Sequence, residues 1–198
     1  MRIIGGKWAG RHLTSPSGRV RPTAEAVRDT WLAMLEPHLK EARVLDLFAG
    51  TGALGLEALS RGARTADFVE NGPSSLHALK ANVTALGVRE RTRIFKKDAI
   101  PFAAALEEGR YTLAFADPPY GSRMLDRLVE IWKEKRFAEL LAVEHAADHE
   151  LPAGGRRYAF AETAVTIYPA EVAPPPRITP KPRSAADARR ASPTRRRR

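Results

Sequence analysis

The sequence predicts an α/β fold: a doubly wound, mostly parallel sheet covered by helices on both faces, with a terminal antiparallel strand pair and a small N-terminal hairpin. Three observations predict it. From Arg43 onward, short apolar runs alternate with segments of helical period. A glycine-rich turn, Gly50-Thr51-Gly52, joins the first of these runs to the helix that follows it. The last two apolar runs have only a few polar residues between them, which makes them neighbours in an antiparallel pair.

The elements follow in order. Residues 1–22 read as short extended pieces broken by Gly5-Gly6, Gly10, Pro16 and Gly18, the pattern of a hairpin ahead of the main domain. Pro22-Thr23 opens a helix whose apolar positions Val27, Trp31, Met34, Leu35 and Leu39 keep helical spacing, with Thr23 as its N-cap. Arg43–Phe48 reads as a buried strand, 53–61 as a helix and Thr65–Glu70 as a second strand. A helix over 73–86 has Pro73 near its start and Gly87 as its stop. The spacing then predicts a strand over 92–98, a short helix over 100–108 and an apolar strand at Tyr111–Ala116. An amphipathic helix follows over 124–137, then a strand over 140–145 and the terminal pair over 157–161 and 164–168.

The 198 residues have room for one substantial domain, and 43% apolar content can bury a sizeable core. The absence of cysteine excludes disulfide frameworks, thiolate metal sites and every cysteine nucleophile. Cytosine C5 methylation, which attacks through a thiolate, is excluded with them. No secretory leader opens the chain and no run approaches the ~20 apolar residues of a membrane span, so a cytoplasmic protein with no membrane partner is expected. The histidines have no metal-ligand spacing, and no metal is expected.

The net charge of +10 is concentrated at the two ends. Residues 173–198 hold nine Lys+Arg and a single acid, Asp187. The first 22 residues hold Arg2, Lys7, Arg11, Arg19 and Arg21 and no acid. Cationic ends suit a chain that meets phosphates. Arg2, Lys7, Trp8, Arg11 and Arg21 are therefore the candidate nucleic-acid contacts, with Trp8 either stacking on a base or anchoring the hairpin on the body, in a front segment expected beside the active cleft. From Pro174 onward proline and arginine dominate without periodicity, and that tail is expected to be disordered.

Two constellations carry chemistry. The first runs from Asp46 through Phe48, Gly50 and Gly52 to Gly55 at a strand-to-helix turn, with Glu70 at the end of the next strand. Glycines there let backbone N–H groups approach a ligand, and Glu70 is placed to accept hydrogen bonds from ribose hydroxyls. The spacing of the glycines also fits a dinucleotide fingerprint. Asp46 argues against that, because a carboxylate beside the ligand repels a pyrophosphate but suits a ligand carrying an ammonium and a sulfonium, as S-adenosylmethionine does. The second constellation is Asp117-Pro118-Pro119-Tyr120, directly after an apolar strand. Two prolines make a rigid extended segment with outward carbonyls. An amino group docked there can donate one hydrogen to Asp117 and one to the Pro118 carbonyl, while Tyr120 offers a face for a base taken out of its stack. Glu144 and His145 end a strand on the same edge; either could touch substrate, though a strand-end histidine is more often structural.

Together these motifs resemble the amino-group branch of the Rossmann-like S-adenosylmethionine-dependent methyltransferases. More closely, Arg2-Ile3-Ile4-Gly5-Gly6, Arg21-Pro22-Thr23 with Val27-Arg28 and Thr30, and the run from Gly52 to Arg61 resemble the bacterial family that methylates guanine N2 in small-subunit ribosomal RNA. The resemblance implies that S-adenosylmethionine is held by Asp46, Phe48, Gly50, Gly52 and Glu70, with Asp98 and Ala99 near adenine, Thr23 reaching in from the N-terminal side and Arg21 meeting either the cofactor or RNA. It implies that Asp117, Pro118, Pro119 and Tyr120 hold the target base. The division expected is a basic hairpin over 1–22, a methyltransferase domain over 23–172 and a basic tail over 173–198, acting as a monomer on ribosomal RNA or a small-subunit assembly particle. Adenine N6 methylation and glutamine-amide methylation of proteins are the alternatives. The first usually needs a target-recognition domain for which no residues remain, and the second carries Asn where this chain has Asp117.

Overall fold

The computed structural model describes residues 1–15, 22–118, 123–160 and 162–169. Arg21, Pro119, Tyr120 and the basic tail lie outside the described residues, as does the side chain of Thr23. The first helix is α1, Pro22–Leu35. It stops four residues short of the apolar spacing because Pro37 cannot continue it, and Glu36–His38 form a 3₁₀ turn instead. Leu39 still reaches the core. There follow β1, Arg43–Leu47, α2, Ala53–Ser60, β2, Thr65–Glu70, α3, Pro73–Ala85, β3, Thr92–Lys96, and α4, Ala99–Ala104. The second half holds β4, Tyr111–Ala116, α5, Met124–Lys135, β5, Ala138–Ala146, β6, Arg156–Phe160, and β7, Thr163–Tyr168.

The seven strands form one sheet in the order β3-β2-β1-β4-β5-β7-β6. β1 to β5 pair in parallel, and β7 inserts antiparallel between β5 and β6. Strand alternation divides the core. Val44, Phe68, Leu113 and Phe115 face one side, where they pack with Trp31 of α1, Leu56 of α2 and Leu79 of α3. Leu45, Leu47, Ala114 and Val143 face the other, against Ala103 of α4 and Leu128 and Trp132 of α5. Both tryptophans are core residues: Trp31 meets Phe115 edge-on with centroids 5.4 Å apart, and Trp132 donates its indole N–H to the Ala138 carbonyl at 2.8 Å.

The chain order reverses between β1 and β4, so helices leave the sheet on opposite faces and a crevice opens at the carboxyl ends of these two strands. The N-terminal segment closes antiparallel, as the sequence predicts, with Ile3 N–H bonded to the Arg11 carbonyl and Leu13 N–H to the Met1 carbonyl, both at 2.9 Å. It is no free appendage, since Ile3 and Leu13 are buried in the core.

Candidate active site

The ends of β1, β2, β4 and β5 surround a cleft of about 850 Å³, the size of a cofactor site. Its floor is the turn from β1 to α2. Phe48 takes a left-handed backbone (φ 60°), a rare conformation for an aromatic residue, and it lines the cleft with Gly50. The Gly50 N–H donates to Glu70 Oε2 at 2.7 Å. Gly52 has a different duty. It does not line the cleft; it begins α2 with φ 80°, and a Cβ there would meet Leu79 Cδ1 at 2.4 Å. Gly55 likewise lets α2 press onto β2, where a Cβ would meet Phe68 at 2.4 Å.

Asp46 lines the cleft but is 2% exposed, and its Oδ2 accepts the Gly55 N–H at 2.9 Å. It pins the start of α2 rather than standing open to a ligand. Burial raises its pKa well above the ordinary carboxylate value; the Gly55 N–H opposes that rise, and Asp117 and Glu70 add to it. Glu70 is also largely engaged. Oε1 accepts from the Asn71 and Gly72 N–H groups at 2.9 and 2.6 Å, and with Oε2 on Gly50 about one of its roughly four lone-pair positions is left for a ribose hydroxyl. Asp98 and Ala99 line the cleft where β3 turns into α4, and Asn71 Nδ2 donates to Asp98 Oδ1.

Asp117 and Pro118 line the cleft at the end of β4. Ala116 pairs with Val143 across β4 and β5, so the next residues, Asp117 and Glu144, are neighbours at the edge. Asp117 shows one side to the cleft, yet the protein packed around the rest of it and the neighbouring Glu144 push its pKa up, to about 7. Glu144 lines the cleft and accepts from Thr163 Oγ1 at 3.1 Å. His145, by contrast, is buried and bonded to Thr166 Oγ1 at 2.8 Å. It is structural.

The structure separates the front-segment residues. Arg2 sits near the cleft and pairs with Glu25 at 3.3 Å. From there the segment runs along α2: Ile4 and Gly5 donate to Glu57, and Trp8 N–H to Ser60 Oγ. Lys7, Trp8 and Arg11 thus lie at the far end of the eight-residue α2, about 12 Å from its cleft end at 1.5 Å per residue. They do not flank the cleft. Trp8 is half-buried against the core, and Arg11 donates to the Ala85 carbonyl at 3.1 Å. The sequence reading missed several cleft residues, Met1, Asn71, Ser75 and Lys97 among them, and gave Arg28 no role.

Residues 1–162 match the family model described as conserved hypothetical protein 95. The chain is 36% identical over 157 residues to the ribosomal RNA small subunit methyltransferase D of Escherichia coli, covering 77% of this chain and 78% of that protein. The chain belongs to the small-subunit ribosomal RNA methyltransferase D family. Among solved structures, yhhF from Escherichia coli superposes with a TM-score of 0.75 at 32% identity, over 87% of this chain and 99% of that one. A 16S rRNA N2 methyltransferase of Thermus thermophilus, solved with AdoMet and guanosine, shares the fold with a TM-score of 0.61 at 21% identity, over 84% of this chain and 48% of that one.

The cleft fits S-adenosylmethionine on its own chemistry. Asp46, Glu70, Asp98, Asp117 and Glu144 line it against two cationic side chains, Arg28 and Lys97. That excess of carboxylates suits a ligand bearing a sulfonium and an ammonium and repels a pyrophosphate. Among the described residues no cluster of metal-ligating side chains is present, and no helix is long and apolar enough to cross a membrane.

Proposed function

We propose that this protein methylates the exocyclic N2 amino group of a guanine in small-subunit ribosomal RNA, with S-adenosylmethionine as methyl donor. One observation carries the reading. β1 and β4 are adjacent and in register, Leu47 opposite Ala116, so the cofactor turn after β1 and Asp117 after β4 face one cleft. A donor held on the first and an amino group held on the second meet there.

Bound S-adenosylmethionine supplies an electrophilic methyl group; the chain supplies position and charge. Asp117 accepts one hydrogen of the amino group and the Pro118 carbonyl the other, which holds the nitrogen with its lone pair toward the donor. The nitrogen sheds a proton once the methyl is in place. A carboxylate whose pKa lies near 7 is matched to take it at neutral pH. Pro119 and Tyr120 complete the base pocket in this reading, Arg21 and the basic tail meet RNA phosphates, and Thr23 touches the cofactor. The enzyme acts as a monomer in the cytoplasm and needs no metal.

The test is transfer of tritiated methyl groups to 16S rRNA, small-subunit particles, DNA and protein in parallel, followed by digestion to nucleosides. Label in N2-methylguanosine from rRNA or particles is expected. Label in N6-methyladenosine or in protein glutamine would overturn the assignment.

A further inference from the structure

The acidic cleft suits the sulfonium and ammonium of S-adenosylmethionine but not its carboxylate. An anion held beside five carboxylates needs a cation of its own. Of the two cationic side chains that line the cleft, Lys97 is exposed beside Asp98, at the end where the family resemblance puts adenine. Arg28 enters from α1, where the Arg2 carbonyl and Glu57 of α2 are its neighbours.

Arg28 is 6% exposed and under-used. Nη2 donates to the Arg2 carbonyl at 2.7 Å, while Nε is buried without a hydrogen-bond partner. The nearest acid, Glu57, stands 4.0 Å from Nε, beyond hydrogen-bond reach. Glu57 is committed elsewhere: Oε1 accepts from Gly5 N–H at 2.6 Å and Arg61 Nε at 3.1 Å, and Oε2 from Ile4 N–H at 2.8 Å. A guanidinium has five N–H donors, and a buried one with so few partners is costly unless a ligand supplies the missing anion. Burial pulls the Arg28 pKa below its ordinary value, although Glu57 and Glu25 work against that pull. Ala53 and Leu54, at the N-terminus of α2 and about one turn before Glu57, also line the cleft and add partial positive charge.

We propose that Arg28 is the receptor for the α-carboxylate of the methionine moiety of the cofactor, gripping it through its planar guanidinium with the start of α2 behind it. The proposal rests on the S-adenosylmethionine reading and adds the residue that orients its amino-acid end.

Calorimetry on the full-length chain tests it, with S-adenosylmethionine and its decarboxylated analogue titrated into the wild type, Arg28→Ala and Arg28→Lys. Arg28→Ala should weaken S-adenosylmethionine binding by roughly 10- to 100-fold, the range for removal of a charge-assisted hydrogen bond, and leave the analogue within about twofold. Arg28→Lys should recover part of the loss. A measurement on the wild type guards against misfolding of the variants: the Arg28 Nε–H resonance should shift on adding S-adenosylhomocysteine and stay put on adding 5′-methylthioadenosine, which lacks the amino-acid end. Equal losses for both ligands, or equal shifts, would make Arg28 a structural residue and overturn the proposal. A wild type that binds neither S-adenosylmethionine nor its analogue would instead overturn the cofactor reading beneath it.

Discussion

Asp117 is where charge and chemistry meet most closely. Its pKa is raised, first by the surrounding protein and then by Glu144, so the carboxylate takes up a proton as pH falls through about 7 and then cannot accept one from the substrate. Single-turnover methylation should therefore rise with pH through that region, and Glu144→Gln, which removes the second cause, should move the midpoint downward. An unmoved midpoint would uncouple the two acids. Asp117→Asn should cut turnover by roughly 100-fold, the scale on which a preorganised acceptor matters to a transition state, while leaving S-adenosylhomocysteine affinity nearly intact in calorimetry. Asp46 gives the opposite pattern. Its raised pKa means that the unfolded chain gives up this proton at lower pH than the folded one, so a stability cost grows from about pH 4 upward. Asp46→Asn keeps an acceptor for Gly55, and its melting temperature should gain on that of the wild type by more at pH 7 than at pH 4. A gain over the wild type no larger at pH 7 than at pH 4 would contradict that role for burial. The acids of the site are legible in the sequence because each stands at or near the carboxyl end of a strand. The tasks of Gly52 and Asp46 are not, because Leu79 and the Gly55 N–H reach them only through folding. Arg28 escapes notice for a related reason: a cation on an amphipathic helix reads as surface until packing buries it.

At the scale of elements, the alternation of apolar runs marks every strand of the sheet, because buried strands are short and continuous in sequence. Ends are marked less well. α4 stops at Ala104, short of the 100–108 reading, and β5 runs from Ala138 to Ala146, longer than its apolar stretch, because β4 and β7 pair with it on both sides. The place of the front segment is set by Glu57, fully buried on α2, which accepts the Ile4 and Gly5 N–H groups and pairs with Arg61. One carboxylate thus fastens the segment to the helix that bears the cofactor turn. Glu57→Ala leaves Arg61 and two N–H groups without their acceptor and Arg28 without its nearest acid, and should cost about 3–5 kcal/mol. Denaturant unfolding measures that loss, and limited proteolysis should show cleavage within residues 1–15 well before the sheet opens. Resistance of that segment in the variant would mean that Ile3 and Leu13 alone hold it. Gly55→Ala should cost about 1–3 kcal/mol through overpacking against Phe68, and replacing Phe68 with Leu in the same chain should return part of it.

The whole molecule sets the methylating cleft apart from the cationic surfaces proposed to meet RNA. The cleft is lined mostly by acids, whereas Lys7 and Arg11 lie at the far end of α2 and nine cations lie in residues 173–198. Phosphates are disfavoured inside such a cleft, so the proposed function has RNA held from outside it while one base enters. Among the described residues all seven strands end by Tyr168, and β7 is paired on both sides by β5 and β6. Truncation after Pro169 should for that reason leave the melting temperature and the affinity for S-adenosylhomocysteine unchanged. It should lower RNA affinity and flatten its salt dependence, since each phosphate that the tail no longer neutralises takes about 0.7–0.9 off the slope of log K against log salt. The modified nucleotide should stay the same, because the base is chosen in the cleft and not by the tail. Replacing Arg2, Lys7 and Arg11 together should act differently, reducing methylation of small-subunit particles more than binding to random RNA, if the front segment reads the shape of its true substrate. Methylation rates and RNA affinities across a salt series for the two variants decide the matter. A truncated chain that cannot methylate at saturating RNA and low salt would make the tail part of the active enzyme and overturn this division between a catalytic body and a phosphate-binding tail.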